Sequence, residues 1–137
     1  MHPHDVERAL TSRVLVIDDE PALTNILRRA LSNAGFEVEI AHDGAEGLVK
    51  AVPLPSVIVL DLHMPVMDGL EFLDAFRSVP GSADIPVVLL SGDRDSTVLR
   101  ERIARYGEVL IMPKPFELEV LVATVLQAGG VQRGGSV

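Results

Sequence analysis

Four short apolar runs punctuate the chain, at residues 14–17, 57–60, 87–90 and 109–112, each built mainly from Val, Ile and Leu. They do not alternate with polar positions and are too short for helices, so they predict strands covered on both faces. Residues 36–40 alternate apolar and acidic side chains, the pattern of a weaker strand at a sheet edge. Between these segments the period becomes helical. Leu23, Ile26, Leu27, Ala30, Leu31 and Ala34 fall on one helical face. Pro21 suits that helix's first turn and Gly35 the stop after its last. Ala45, Leu48, Val49 and Val52 repeat the spacing until Pro53 and Pro55 end it. Leu70, Leu73 and Phe76 predict a third helix. Leu99, Ile103 and Tyr106 predict a fourth, with Arg94, Arg100, Glu101, Arg102 and Arg105 around its other sides. Leu118, Leu121, Val122, Val125 and Leu126 predict a fifth. Helices alternating with buried strands require parallel strands joined by crossovers. The expected fold is therefore α/β, a doubly wound five-stranded parallel sheet between two layers of helices.

A length of 137 residues fits one domain. Residues 13–128 hold all the periodic segments and form the expected folded unit. Residues 1–12 have no clear period and read as an N-terminal extension. Residues 129–137, with four glycines in nine positions, read as a flexible tail or the start of a linker. Composition then narrows the function. Twelve Lys and Arg against twenty Asp and Glu give a net charge of −8, a poor balance for non-specific nucleic-acid binding. The absence of cysteine excludes disulfides and thiolate sites. No apolar run approaches the roughly 18 to 20 residues that span a bilayer, and the first residues lack the basic-then-apolar pattern of a signal peptide. A cytoplasmic domain with no membrane contact is expected.

The chemistry lies in the polar residues at the ends of the apolar runs. Asp18, Asp19 and Glu20 come directly after the first strand, Asp61 after the third, Ser91 after the fourth, and Lys114 after the fifth with one proline between. In a parallel sheet all of these reach the carboxyl edge, where open α/β sheets bind ligands. One Asp after a strand is ordinarily a turn or cap residue, and Ser91-Gly92 alone would be a turn. A turn reading does not explain the coincidence at four strand ends. Clustered carboxylates repel and favour a counter-cation. An oxygen-only ligand set with no His or Cys triad favours Mg²⁺. A metal, an ammonium and a hydroxyl together can neutralise and hydrogen-bond a phosphoryl group, which a carboxylate can accept as an acyl phosphate. Competing motifs are missing: there is no phosphate-binding glycine loop after a strand, and Ser91 is preceded two positions earlier by Leu89 and not by the glycine of a nucleophile elbow. His2, His4 and His42 show no ligand spacing and are expected to be exposed. The arginines of the fourth helix read first as a solvated face and second as a partner surface.

These residues resemble the receiver domain of two-component response regulators, the chemotaxis-regulator-like fold, from about residue 13 to 128. The resemblance rests on Val16-Ile17-Asp18-Asp19-Glu20-Pro21, on Asp61-Leu62-His63-Met64-Pro65-Val66-Met67-Asp68-Gly69, on Leu90-Ser91-Gly92 and on Lys114-Pro115-Phe116. The spacings are 42 from Asp19 to Asp61, 30 from Asp61 to Ser91 and 23 from Ser91 to Lys114. The resemblance implies strand order 2-1-3-4-5. It implies that Asp61 accepts a phosphoryl group from a sensor histidine kinase or a histidine phosphotransfer protein. Asp19, Asp61 and the backbone carbonyl of His63 would bind Mg²⁺, with Asp18 helping through water. Ser91 would bond a phosphoryl oxygen, Lys114 would pair with the phosphoryl group, and the Lys114–Pro115 bond would be cis. Such a domain is a phosphoacceptor and not an enzyme acting on other substrates. Its further partners would be an output domain or target protein, with a homodimer compatible. Where the family commonly has an aromatic ring three residues before the lysine, this chain has Ile111, and Ser91 stands where Thr is commoner. Two other readings are a degenerate receiver serving only as an interaction module, and a Mg²⁺-dependent phosphatase with an aspartyl nucleophile. The intact set of Asp18, Asp19, Asp61, Ser91 and Lys114 disfavours the first. Asp18-Asp19-Glu20, in place of a D-x-D pair, disfavours the second.

Overall fold

Each apolar run becomes a strand of one parallel sheet, the first four helical periods become its crossovers and the fifth the helix after the last strand, in a computed structural model that describes residues 12–92 and 97–130. In chain order the elements are β1 (Arg13–Ile17), α1 (Pro21–Asn33), β2 (Glu37–Ala41), α2 (Gly44–Lys50), β3 (Val57–Asp61), α3 (Gly69–Phe76), β4 (Val87–Ser91), α4 (Thr97–Ile103), β5 (Val109–Pro113) and α5 (Leu118–Gly129). Short 3₁₀ turns lie at Ser82–Asp84 and Ala104–Tyr106. The strands lie in the order β2-β1-β3-β4-β5, all parallel. This is the expected doubly wound arrangement, with its reversal between β1 and β3, where ligand crevices form. The N-terminal extension up to residue 11, His2, His4, Arg94 and the tail beyond Gly130 lie outside the described residues. Among the described residues, no helix is long and apolar enough to cross a membrane.

The central strands are buried on both sides because their side chains alternate between two cores. Val57 and Val59 of β3 join Leu27 and Leu31 of α1 and Leu121 and Val125 of α5. Ile58 and Leu60 join Phe72, Leu73 and Phe76 of α3 and Leu99 and Ile103 of α4. β1 and β4 divide in the same way, which is why their sequences show no alternation. Among the described residues, two helices begin with side-chain caps. Asp43 accepts from the Glu46 N–H at the start of α2, and Asp68 and Glu71 form a reciprocal capping box on α3.

Four local expectations change. α2 does not bury Ala45, Val49 and Val52. It buries Gly44 and Gly47 and is followed by buried Ala51, while Val49 is 76% exposed. The small residues let the helix lie close on the sheet: a Cβ on Gly47 would come 2.6 Å from Ile17 Cδ1. An apolar count gives glycine no weight, so it picks the neighbouring stripe. β5 is the second edge strand, with Leu110 half exposed, and is not covered on both faces along its length. Ile26 of α1 is likewise half exposed, and Thr24 is buried in its stead. α5 also runs through Gly129, the first residue assigned from sequence to the tail, and is capped by Gly130 with φ 68°.

Candidate functional site

The carboxyl ends of β1, β3, β4 and β5 deliver the site. Asp18 follows β1 and is 1% exposed, held there by its own N–H bonded to Ala41 O at 3.0 Å. Asp19, the next residue, is exposed. Asp61 is the last residue of β3 and is buried. Carboxylate oxygens of Asp18, Asp19 and Asp61 all lie within 4.8 Å of one another. Lys114, just past β5, places Nζ 3.0 Å from Asp61 Oδ1. Ser91 ends β4 and is buried, and its carbonyl accepts from the Lys114 N–H at 2.8 Å. The Lys114–Pro115 peptide is cis, and so is Val52–Pro53, which the sequence did not signal. His63 stands two residues beyond Asp61 with its side chain exposed, and His42 is exposed as expected.

The electrostatics of this crevice follow from burial. Asp18 Oδ1 accepts from the Glu20 N–H at 2.9 Å, whereas Oδ2 is buried with no hydrogen-bond partner among the described residues. Burial pushes the Asp18 carboxyl up to about 6, and the charges of Asp61 and Asp19 push the same way; the Glu20 N–H and the Lys114 ammonium oppose them. A buried carboxylate oxygen with no donor, close to two further carboxylates, fits a hard divalent cation better than it fits an empty crevice. Asp18, Asp19 and Asp61 are the residues able to hold one.

The loop from β3 to α3 shapes the open side. The Leu62 N–H bonds Leu90 O at 2.9 Å and the Gly69 N–H returns to Leu62 O at 2.8 Å. A side chain on Gly69 would put its Cβ 2.8 Å from Asp61 O, a clash with backbone, so the close return of the chain past the strand end requires glycine. Sequence reasoning missed the Glu20 N–H that fixes Asp18. The turn in which an Asp side chain accepts from the N–H two residues on could have revealed it.

Carboxylates at the ends of β1 and β3, a hydroxyl on β4 and an ammonium just past β5 can bind a cation and a phosphoryl group side by side. Residues 14–126 match the family described as the response regulator receiver domain. Over 112 residues the chain is 45% identical to the transcriptional regulatory protein TrcR of Mycobacterium tuberculosis, covering 81% of this chain and 42% of TrcR. Over 117 residues it is 44% identical to the response regulator MprA of Mycobacterium bovis, covering 83% of this chain and 49% of MprA. The chain thus spans about half the length of the curated relatives it matches. Among solved structures, the chemotaxis protein CheY4 of Vibrio cholerae matches with a TM-score of 0.80 and 33% identity, over 86% of this chain and 98% of that one. Matched along nearly all of its described length in both sequence and fold, this chain belongs to the receiver domains of two-component response regulators.

Proposed function

We propose that Asp61 is the phosphoacceptor of this domain, acting with Lys114, Ser91 and a Mg²⁺ ion held by Asp18, Asp19, Asp61 and the His63 carbonyl. The observation that carries this reading is the meeting of three carboxylates, one with a buried, unpartnered oxygen, with an ammonium 3.0 Å from Asp61. When bound, the metal would offset carboxylate charge and favour the oxygens of an incoming phosphoryl group. The protein's own residues do the rest. A carboxylate oxygen of Asp61 forms the new O–P bond as the P–N bond of a donor phosphohistidine breaks, its electron pair returning to the imidazole. Lys114 balances the negative charge brought beside Asp61, and the Ser91 hydroxyl donates to a phosphoryl oxygen. The proposed unit for this chemistry is residues 13–128, flanked by the extension 1–12 and the tail or linker 129–137. The domain would act in the cytoplasm, and the donor would be a sensor histidine kinase or a histidine phosphotransfer protein. The output would pass to a further domain, a target protein or a second copy, without direct nucleic-acid binding by this domain.

Incubation with a small acyl-phosphate donor and Mg²⁺ tests the reading by intact mass. One alkali-labile phosphoryl adduct is expected on the wild-type chain and none on Asp61→Asn. An adduct of equal extent on Asp61→Asn, or none on the wild type, overturns it.

A further inference from the structure

We propose that Met67 is a positioning residue for the phosphoryl site, seated in a notch that Gly44 leaves open at the start of α2. This rests on the reading of Asp61 as the phosphoacceptor and of the loop behind it as part of the metal site. Residues 62–68 run from Asp61 to α3, anchored at their two ends by the Leu62 and Gly69 hydrogen bonds. The middle is strained. Val66 has φ 70°, which β-branched residues rarely adopt, and a Met67 N–H to Pro65 O bond of 2.8 Å closes a tight turn around it. Such a conformation persists only when its surroundings over-determine it. Val66 itself is 92% exposed and contributes no packing, so the restraint comes from its neighbour.

Met67 is half-buried and packs against the core on the α2–α4 side of the sheet. A Cβ built on Gly44 would lie 2.7 Å from Met67 Cγ, 2.7 Å from Sδ and 2.9 Å from Cβ. Rotating the thioether would clear the first two atoms. It would not clear Cβ, whose position belongs to the loop backbone, so a methyl group at position 44 must push the loop. The floor of the notch is fixed, because Asp43 holds the first turn of α2 through the Glu46 N–H at 2.7 Å. Gly47, one turn further along, is a useful contrast. A Cβ there would meet Ile17 Cδ1 at 2.6 Å and Phe72 Cε1 at 3.3 Å, core side-chain atoms and not atoms of residues 62–68.

The test compares Gly44→Ala, Gly47→Ala and Met67→Ala in the full chain. The readouts are amide shifts of residues 62–68, the Mg²⁺ midpoint by thermal shift, and the rate of Asp61 phosphorylation by an acyl phosphate. Gly44→Ala and Met67→Ala should move the loop amides, raise the Mg²⁺ midpoint and slow phosphorylation, on the order of tenfold to a hundredfold, as for groups that orient metal ligands. Gly47→Ala should lower the melting temperature while leaving loop shifts, midpoint and rate near wild type. A purely structural role predicts that the two glycine variants behave alike. Equal loop shifts and equal rates in Gly44→Ala and Gly47→Ala, in a folded protein, overturn the positioning role. A wild-type chain that takes no phosphoryl group overturns the reading of Asp61, while displaced loop amides in Gly44→Ala alone still support the seat of Met67.

Discussion

Asp18 is costly to keep charged, and that cost should be visible as a pH dependence. Its carboxyl stands near 6 in the folded protein against 3.8 ordinarily, through burial first and neighbouring carboxylates second. The folded state therefore holds this proton more tightly than the unfolded chain does. The resulting stabilisation is fully present below pH 3.8 and is lost as pH rises through about 6, about 3 kcal/mol in size. A divalent cation competes with that proton. Melting curves with and without millimolar Mg²⁺ should show a small metal-induced gain below about pH 5 and a larger one above about pH 7. A gain that is constant across this range would mean that Asp18 takes no part in metal binding. The residues that end apolar runs, Asp18, Asp61, Ser91 and Lys114, were legible from sequence because a strand's end fixes where they go. The Gly44 and Met67 contact was not, since it joins the first turn of α2 to a loop 23 positions on (67 − 44) through steric fit alone.

At the level of elements, existence and type were easier to read than orientation. Five helices and five strands follow from periodicity, because alternation of 3.6-residue patterns with solid apolar runs has few other solutions. α2 shows the limit. Its exposed Ala45 and Val49, with Val52 just past its end, are more apolar than the glycines it buries, and only the close approach of Gly44 and Gly47 to neighbouring side chains decides the rotation. Val49→Lys should then be nearly neutral, within about 0.5 kcal/mol by denaturant melts, as for an exposed helix position. A loss of more than about 2 kcal/mol would mean that the stripe is covered in solution. β5 illustrates the same limit in a strand. Its apolar run resembles those of β1, β3 and β4, yet the order of the sheet leaves it at an edge with Leu110 exposed. Strand order is a property of crossovers and not of composition.

The whole molecule is two cores divided by one sheet, and the two should respond to damage separately. Ile103→Val on the α3–α4 side should cost about 1 kcal/mol, and Val125→Ala on the α1–α5 side about 2 kcal/mol. Because the two positions belong to different clusters, the double variant should lose the sum to within about 0.5 kcal/mol in chemical denaturation. A larger coupling would show that the cores communicate through the sheet. The pleat also sorts the residues at its rim. Asp61 continues the parity of Val59, toward α1 and α5, while Ser91 continues the parity of Leu89, toward α3 and α4. Ile111 lies beside Leu89 in register and shares that second side. The sheet is thus a party wall, and the rim that carries Asp61 and Ser91 is where its two rooms meet. Under the proposed role of Asp61, a group arriving there would reach the room of α4 over the top of the wall, by way of Ser91, and not through the masonry of the strands.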